Sequence, residues 1–155
     1  MKKALLIFSF VILLFSATAF AQTETDKNEK QVPIDTLLEA DSQHNLNVAW
    51  QYFKLKKAYK AVLMRTEETI AANPTFSKID EVLYLAGMSS YYLAEGKGKQ
   101  KINLEVLSKE DQERFAPKRL SDDAVTFLSQ LVEQYPESKY ADDAKDTLKK
   151  LKPEK

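Results

Sequence analysis

Few residues in this chain carry reactive chemistry. His44 is the single histidine, and Glu39 and Asp41 lie just before it. Those three side chains make a metal site only if one unbroken helix carries Asp41 and His44 on a common face, and metal sites draw ligands from more than one element. A surface histidine beside a helix boundary is the expected reading, and no metal ligand is assigned. Gly96-Lys97-Gly98-Lys99 shares glycine and lysine with phosphate loops. A phosphate loop needs two glycines with four residues between them, then Lys-Ser/Thr, between a strand and a helix. Here a helical pattern precedes and Gln100 follows, so a helix C-cap and a basic loop are expected. The pairs Asp122-Asp123 and Asp142-Asp143 fall near helix starts, where negative charge is favoured. No catalytic residue and no cofactor site emerge.

One cluster reads as a binding surface. Lys54, Lys56, Lys57 and Lys60 are interleaved with Trp50, Tyr52, Phe53 and Tyr59, which suits an acidic partner or, more simply, a solvated face beside a buried aromatic stripe. Trp50 lies off the main apolar stripe, and tryptophan is enriched in binding hot spots. Tyr91 and Tyr92 are adjacent on a helix, so one of them is expected to face outward. The candidate partner surface is therefore Trp50, Lys54, Lys57, Tyr91 and Tyr92.

The elements that must hold these residues are helical. Val48, Tyr52, Leu55, Tyr59 and Val62 recur at spacings of four and three, predicting one long helix over 45–72, with a kink or projection to absorb its length. A short helix over 34–40, capped by Asp35, precedes it, and Asp41-Ser42 either interrupts or is run through. Asn73-Pro74 ends the long helix because the residue before proline is driven out of the α region. Ser77 is expected to cap a helix over 78–94 that buries Ile79, Val82, Leu83, Ala86, Ser90 and Leu93. The small pair Ala86-Gly87 should let a neighbouring helix come close.

Ser108 is expected to cap a short helix that Pro117 terminates. Ser121 then caps a helix burying Val125, Leu128, Leu131, Val132 and Tyr135, with Leu120 stapled onto Val125. Ser138 caps the last helix, which buries Tyr140, Ala144, Leu148 and Leu151. The segments 73–81 and 135–143 echo each other, the second one residue shorter: an amphipathic run ends at a proline, Ser-Lys follows, and another amphipathic run begins. Such an echo marks a helical repeat. The expected class is all-α, with about five helices in tetratricopeptide-like hairpins, two of them clear.

Composition bounds the role. Lys2 and Lys3, the apolar run 4–15 and Ala19-Phe20-Ala21 form a secretory signal peptide over 1–21, cleaved before Gln22. The polar stretch 22–33 reads as a disordered tether, leaving a helical domain over 34–152. The sequence contains no cysteine, which excludes disulfides, thiolate catalysis and a lipid-accepting thiol. Losing Lys2 and Lys3 from 23 basic and 23 acidic side chains leaves a small negative charge. Nucleic acid is thus not an expected partner, since phosphate binding draws on an excess of Lys and Arg.

The run Tyr135-Pro136-x-Ser138-x-Tyr140-Ala141-x-x-Ala144, preceded by the apolar residues from Val125 to Val132, resembles the tetratricopeptide hairpins of the BamD and Tol-Pal coordinator family of bacterial envelope scaffolds. Asn73-Pro74-Thr75-Phe76-Ser77, with Tyr84 and Ala86-Gly87, is a looser copy. The resemblance covers about half of the mature chain. It implies an exported, periplasmic, non-enzymatic scaffold or adaptor with protein partners in the envelope and a possible place in outer-membrane protein assembly. The chain departs from that family in lacking the lipid-accepting cysteine and in showing two repeats where about five are usual. No functional residue is carried over. Two other roles fit the composition: a small-ligand carrier or enzyme using 97–118 as a lid, and a structural self-oligomer.

Overall fold

The computed structural model describes residues 35–151. The expected signal peptide, the tether, and Ile34 and Lys152 at the ends of the expected helical domain lie outside them. Six α-helices follow in order: α1 Thr36–Gln51, α2 Tyr59–Ala72, α3 Ile79–Ala94, α4 Lys109–Arg114, α5 Pro117–Gln134 and α6 Ala141–Leu151. A π-helical segment, Tyr52–Lys56, joins α1 to α2, and a 3-10 turn, Leu104–Val106, lies between α3 and α4. There is no strand among the described residues.

Asp35 caps α1 as expected, its carboxylate accepting from the Leu37 and Leu38 amides at 3.0 and 3.2 Å. The helix runs straight through Asp41-Ser42, because the Ser42 hydroxyl turns back onto the Leu38 carbonyl at 2.8 Å and leaves the ladder intact. The single long helix over 45–72 is corrected. After Gln51 the backbone widens into the π-helical turn, Lys57 enters the left-handed region at φ 49°, and α2 starts afresh. Leu55, expected on the buried stripe, is accordingly 73% exposed.

Two hairpins carry the repeat. The turn between α2 and α3 is built by Asn73 N–H to Thr69 O, Phe76 N–H to Asn73 O and Ile79 N–H to Phe76 O. Between α5 and α6 the same three bonds run from Tyr135 to Leu131, Ser138 to Tyr135 and Ala141 to Ser138. The two copies therefore superpose without a gap, with Phe76 matching Ser138 and Ile79 matching Ala141, so the one-residue deletion read from the Ser-Lys pairs is corrected. Phe76 fills the first turn as a buried side chain. Ser138 instead uses its hydroxyl, which donates to Asp80 and accepts from the Tyr140 amide. Ser77 does not cap α3. Its position is the exposed corner of the turn, and its amide donates to Glu39 of α1.

The C-terminal hairpin also starts earlier than expected. Pro117 opens α5 at the first helical position, where its missing N–H costs nothing and its fixed φ suits the helix. Ser121 therefore lies inside α5, and Leu120 is a core residue rather than a staple. The Ser108 cap of α4 holds, with its hydroxyl accepting from Asp111 N–H at 3.2 Å.

The packing is that of stacked hairpins. α3 lies against α2 on one side and α5 on the other, α6 covers α5, and α1 covers α2. α3 is consequently buried on nearly all faces: Tyr84, Leu85, Gly87, Met88 and Ser89 join the six residues expected on one side. Each fully buried aliphatic side chain contributes about 1.5–3 kcal/mol, so α3 is the axis of the domain. Gly96, at φ 64°, closes α3 with Gly96 N–H to Leu93 O and Lys97 N–H to Tyr92 O, the paired bonds of a left-handed helix cap. The segment after it then folds back. Ile102, Leu104 and Leu107 pack onto a second apolar cluster containing Tyr59, Leu63, Leu93, Phe115 and Leu120.

Candidate functional site: an aromatic strip rimmed by lysines

The first turn of α3 gathers polar groups from three elements. Glu81 accepts from Trp50 Nε1 of α1 at 2.9 Å and from the Tyr140 hydroxyl at 3.1 Å, and Lys139 Nζ lies 3.5 Å from its other oxygen. One turn later the Tyr84 hydroxyl donates to Asp143 of α6. Burial raises the Glu81 carboxyl, but the hydrogen bonds from Trp50 and Tyr140 and the Lys139 charge outweigh it and hold the group below the ordinary glutamate value. Tyr84 is pushed well above the usual tyrosine value by burial and then by the Asp143 hydrogen bond and charge.

Glu81 makes a pH prediction. Because its folded carboxyl titrates below the unfolded one, the stabilisation is fully present above the ordinary value of 4.5 and is lost as pH falls through the lowered value. Glu81→Gln should therefore flatten the acid limb of a plot of thermal midpoint against pH while lowering the neutral plateau. A parallel acid limb in the variant would mean that other carboxylates set it.

From this knot a continuous strip of rings crosses the molecule. Tyr140 stacks on Tyr84 at 4.5 Å between centroids, and Trp50 meets both at 5.7 and 6.2 Å. Trp50 then meets Phe53 edge-on at 5.8 Å, Phe53 meets Tyr59 and Tyr92 at 5.4 and 5.9 Å, and Tyr92 meets Tyr91 at 5.5 Å. Offset and edge-on pairs of this kind add about 0.5–1.5 kcal/mol each beyond their buried area. Lysines lie over four of these half-buried rings: Lys54 over Trp50 at 4.4 Å, Lys97 over Tyr91 and Tyr92 at 5.4 and 5.7 Å, and Lys139 over Tyr140 at 4.9 Å.

Four of the five candidate surface residues thus come together. Trp50, Lys54, Tyr91 and Tyr92 belong to one strip contributed by α1, the π-helical segment and α3. Trp50 does not stand free, however. It is half-buried, its indole N–H is taken by Glu81, and it lies packed against the main apolar cluster instead of projecting from the surface. Tyr91 and Tyr92 are both half-buried instead of one facing out. Lys57 lies apart from the strip, at the α1–α2 junction, where its carbonyl accepts from Lys99 N–H at 3.1 Å. Sequence reasoning missed Glu81, Tyr84 and Tyr140 as site members. They meet because the turn before α6 and its first residues bring Tyr140 and Asp143 to the side chains of Glu81 and Tyr84, which no local pattern encodes.

A second feature lies beside the folded-back segment. Leu93, Ile102, Leu104 and Phe115, with Lys97 and Lys101, line a cleft of about 310 Å³. His44 is exposed on α1, while Glu39 is engaged with Asn73 and Ser77. No helix among the described residues is long and apolar enough to cross a membrane.

Among known proteins, the model of the YfiO family, described as outer membrane lipoprotein, matches residues 20–154. No curated protein and no solved structure matches the chain.

Proposed function

The chain belongs to the YfiO, or BamD-like, family of outer membrane lipoproteins, and from that membership we propose that it is an exported, non-enzymatic scaffold that holds protein partners in the periplasm during outer-membrane protein assembly. The family match over nearly the whole chain carries this reading. Stacked hairpins suit the task physically. A rigid surface spares the partner from ordering the scaffold as well as itself, so more of the contact energy survives as affinity.

The aromatic strip is the proposed docking face. Its rings are already fixed by mutual packing, which lowers the entropy lost on binding, and Trp and Tyr dominate hot spots. Lys54, Lys97 and Lys139 along its rim favour a partner segment that brings apolar side chains flanked by carboxylates. The absence of any cysteine leaves no thiol for acylation within these residues. We therefore extend the proposal to attachment through protein contacts rather than a lipid, with the signal peptide 1–21 cleaved on export. Photo-crosslinking from the strip in intact envelopes tests the proposal.

The cleft beside Phe115 favours a second reading, a carrier of an amphiphilic anion with its apolar part against Leu93 and Ile102 and its charge at Lys97 and Lys101. Native mass spectrometry of the purified protein separates the two. A stoichiometric small molecule would support the carrier, and a bare chain that crosslinks through the strip would support the scaffold.

A further inference from the structure

We propose that α1 exchanges between two copies of this chain: the junction 52–58 straightens into continuous helix, and α1 of each copy docks on α2 and α3 of the other. The junction is a helix-forming sequence held in a non-helical state. No glycine or proline occurs from Thr36 to Asn73, and Lys54, Leu55, Lys56, Lys57 and Ala58 are all good helix formers. The apolar spacing through Val48, Tyr52, Leu55, Tyr59 and Val62 crosses the break without a change of phase. Against this, the folded chain places Lys57 at φ 49°, a left-handed conformation that disfavours any residue with a Cβ. It also leaves Leu55 in solvent. A short strained hinge between two well-packed elements is the condition under which exchange becomes cheap.

The exchange preserves the contacts that tie α1 to residues beyond the hinge, and gives up those that Trp50 makes with Phe53 and Lys54 inside it. Leu46 and Ala49 are buried in the core, Trp50 reaches Glu81, the Asn73 side-chain amide donates to Ser42 at 3.1 Å, and the Ser77 amide donates to Glu39. All of these join α1 to residues beyond the hinge, so a second copy supplies them unchanged, and only the hinge differs between the two states. A continuous helix over 36–72 is about 55 Å long. It carries α1 away from its own body, so closure within one chain is excluded once the hinge straightens. The loop after α3 clasps the bent form: Lys99 N–H bonds to Lys57 O, and a Cβ on Gly98, at φ 111°, would lie 2.9 Å from that same carbonyl.

The test uses the cysteine-free chain as it is recovered from the envelope. Chains carrying only Ser42→Cys and chains carrying only Asn73→Cys are unfolded together, refolded and oxidised. Exchange gives a disulfide-linked heterodimer, and the pairing is repeated with Asn45→Cys and Arg65→Cys under a short bis-maleimide in case the buried pair perturbs folding. Sedimentation equilibrium on hinge variants supplies the energetic arm. Lys57→Gly relieves the left-handed strain and weakens the straight helix, so the dimer dissociation constant should rise roughly tenfold for each of the two hinges. Gly98→Ala should lower it. A chain that stays monomeric at all accessible concentrations overturns the proposal. So does a dimer in which neither mixed pair crosslinks, or one indifferent to both hinge variants.

Discussion

Gly87→Leu should lower stability by about 3 kcal/mol and the thermal midpoint by roughly 10 °C. Gly87 is buried in α3 where α5 crosses it, and a Cβ there would lie 2.6 Å from both Cγ and Cδ2 of Leu128 and 3.4 Å from its backbone nitrogen. Leu128 is itself fully buried and cannot rotate away into solvent. A better helix former would gain about 1 kcal/mol at this position, so the overpacking must exceed that gain to show. The geometry says that it does, since the contact is with the branch point of a packed side chain and lies close to the backbone. Thermal melts of the wild type, Gly87→Ala and Gly87→Leu should fall in that order. Equal midpoints would mean that α3 and α5 do not meet there, and the stacking of the two hairpins would have to be redrawn.

Leu131→Asp should cost about 5 kcal/mol, combining the 2–5 kcal/mol of a large core deletion with the penalty of an unpaired buried carboxylate. Leu131 has no exposed surface and shares the main cluster with Val82, Leu128 and Ala144. That cost is comparable with the whole stability of a small domain, so helical circular dichroism should drop and the last hairpin should become protease-sensitive. Leu131→Ala, which leaves a cavity without a charge, should lose roughly 3 kcal/mol and stay folded. If Leu131→Asp keeps the wild-type spectrum and midpoint, the register assigned to α5 is wrong.

Both positions are legible in the sequence, whereas others are not. Prolines announce themselves, so both hairpin turns fell where Asn73-Pro74 and Tyr135-Pro136 put them. Pro117 was equally visible but ambiguous, since proline both ends and opens helices, and the Ser121-Asp122-Asp123 cap pattern competed for the start of α5. The break at 52–58 had no local signal at all. Its residues favour helix, and the turn is imposed by burying Leu46, Ala49 and Trp50 against α2 and α3, a tertiary effect that overrides propensity. The aromatic strip was half legible. Trp50, Lys54, Tyr91 and Tyr92 are marked by type, whereas Glu81, Tyr84 and Tyr140 become site members only through side-chain contacts between α3 and the turn that leads into α6. Lys57 was grouped with them by proximity in sequence, and its part lies in the hinge backbone instead.

Family membership accounts for the helical repeats and the envelope setting, while the strip is what would make this particular chain bind. Photo-crosslinking in intact envelopes tests that claim most directly, with the reactive group placed at Lys54, at Lys97 and, as a control away from the strip, at the exposed Glu133 of α5. The scaffold account predicts that Lys54 and Lys97 capture the same outer-membrane assembly protein and that Glu133 does not. Capture of that protein through Glu133 alone, or no capture from any position while the purified chain retains a stoichiometric small molecule, would contradict it.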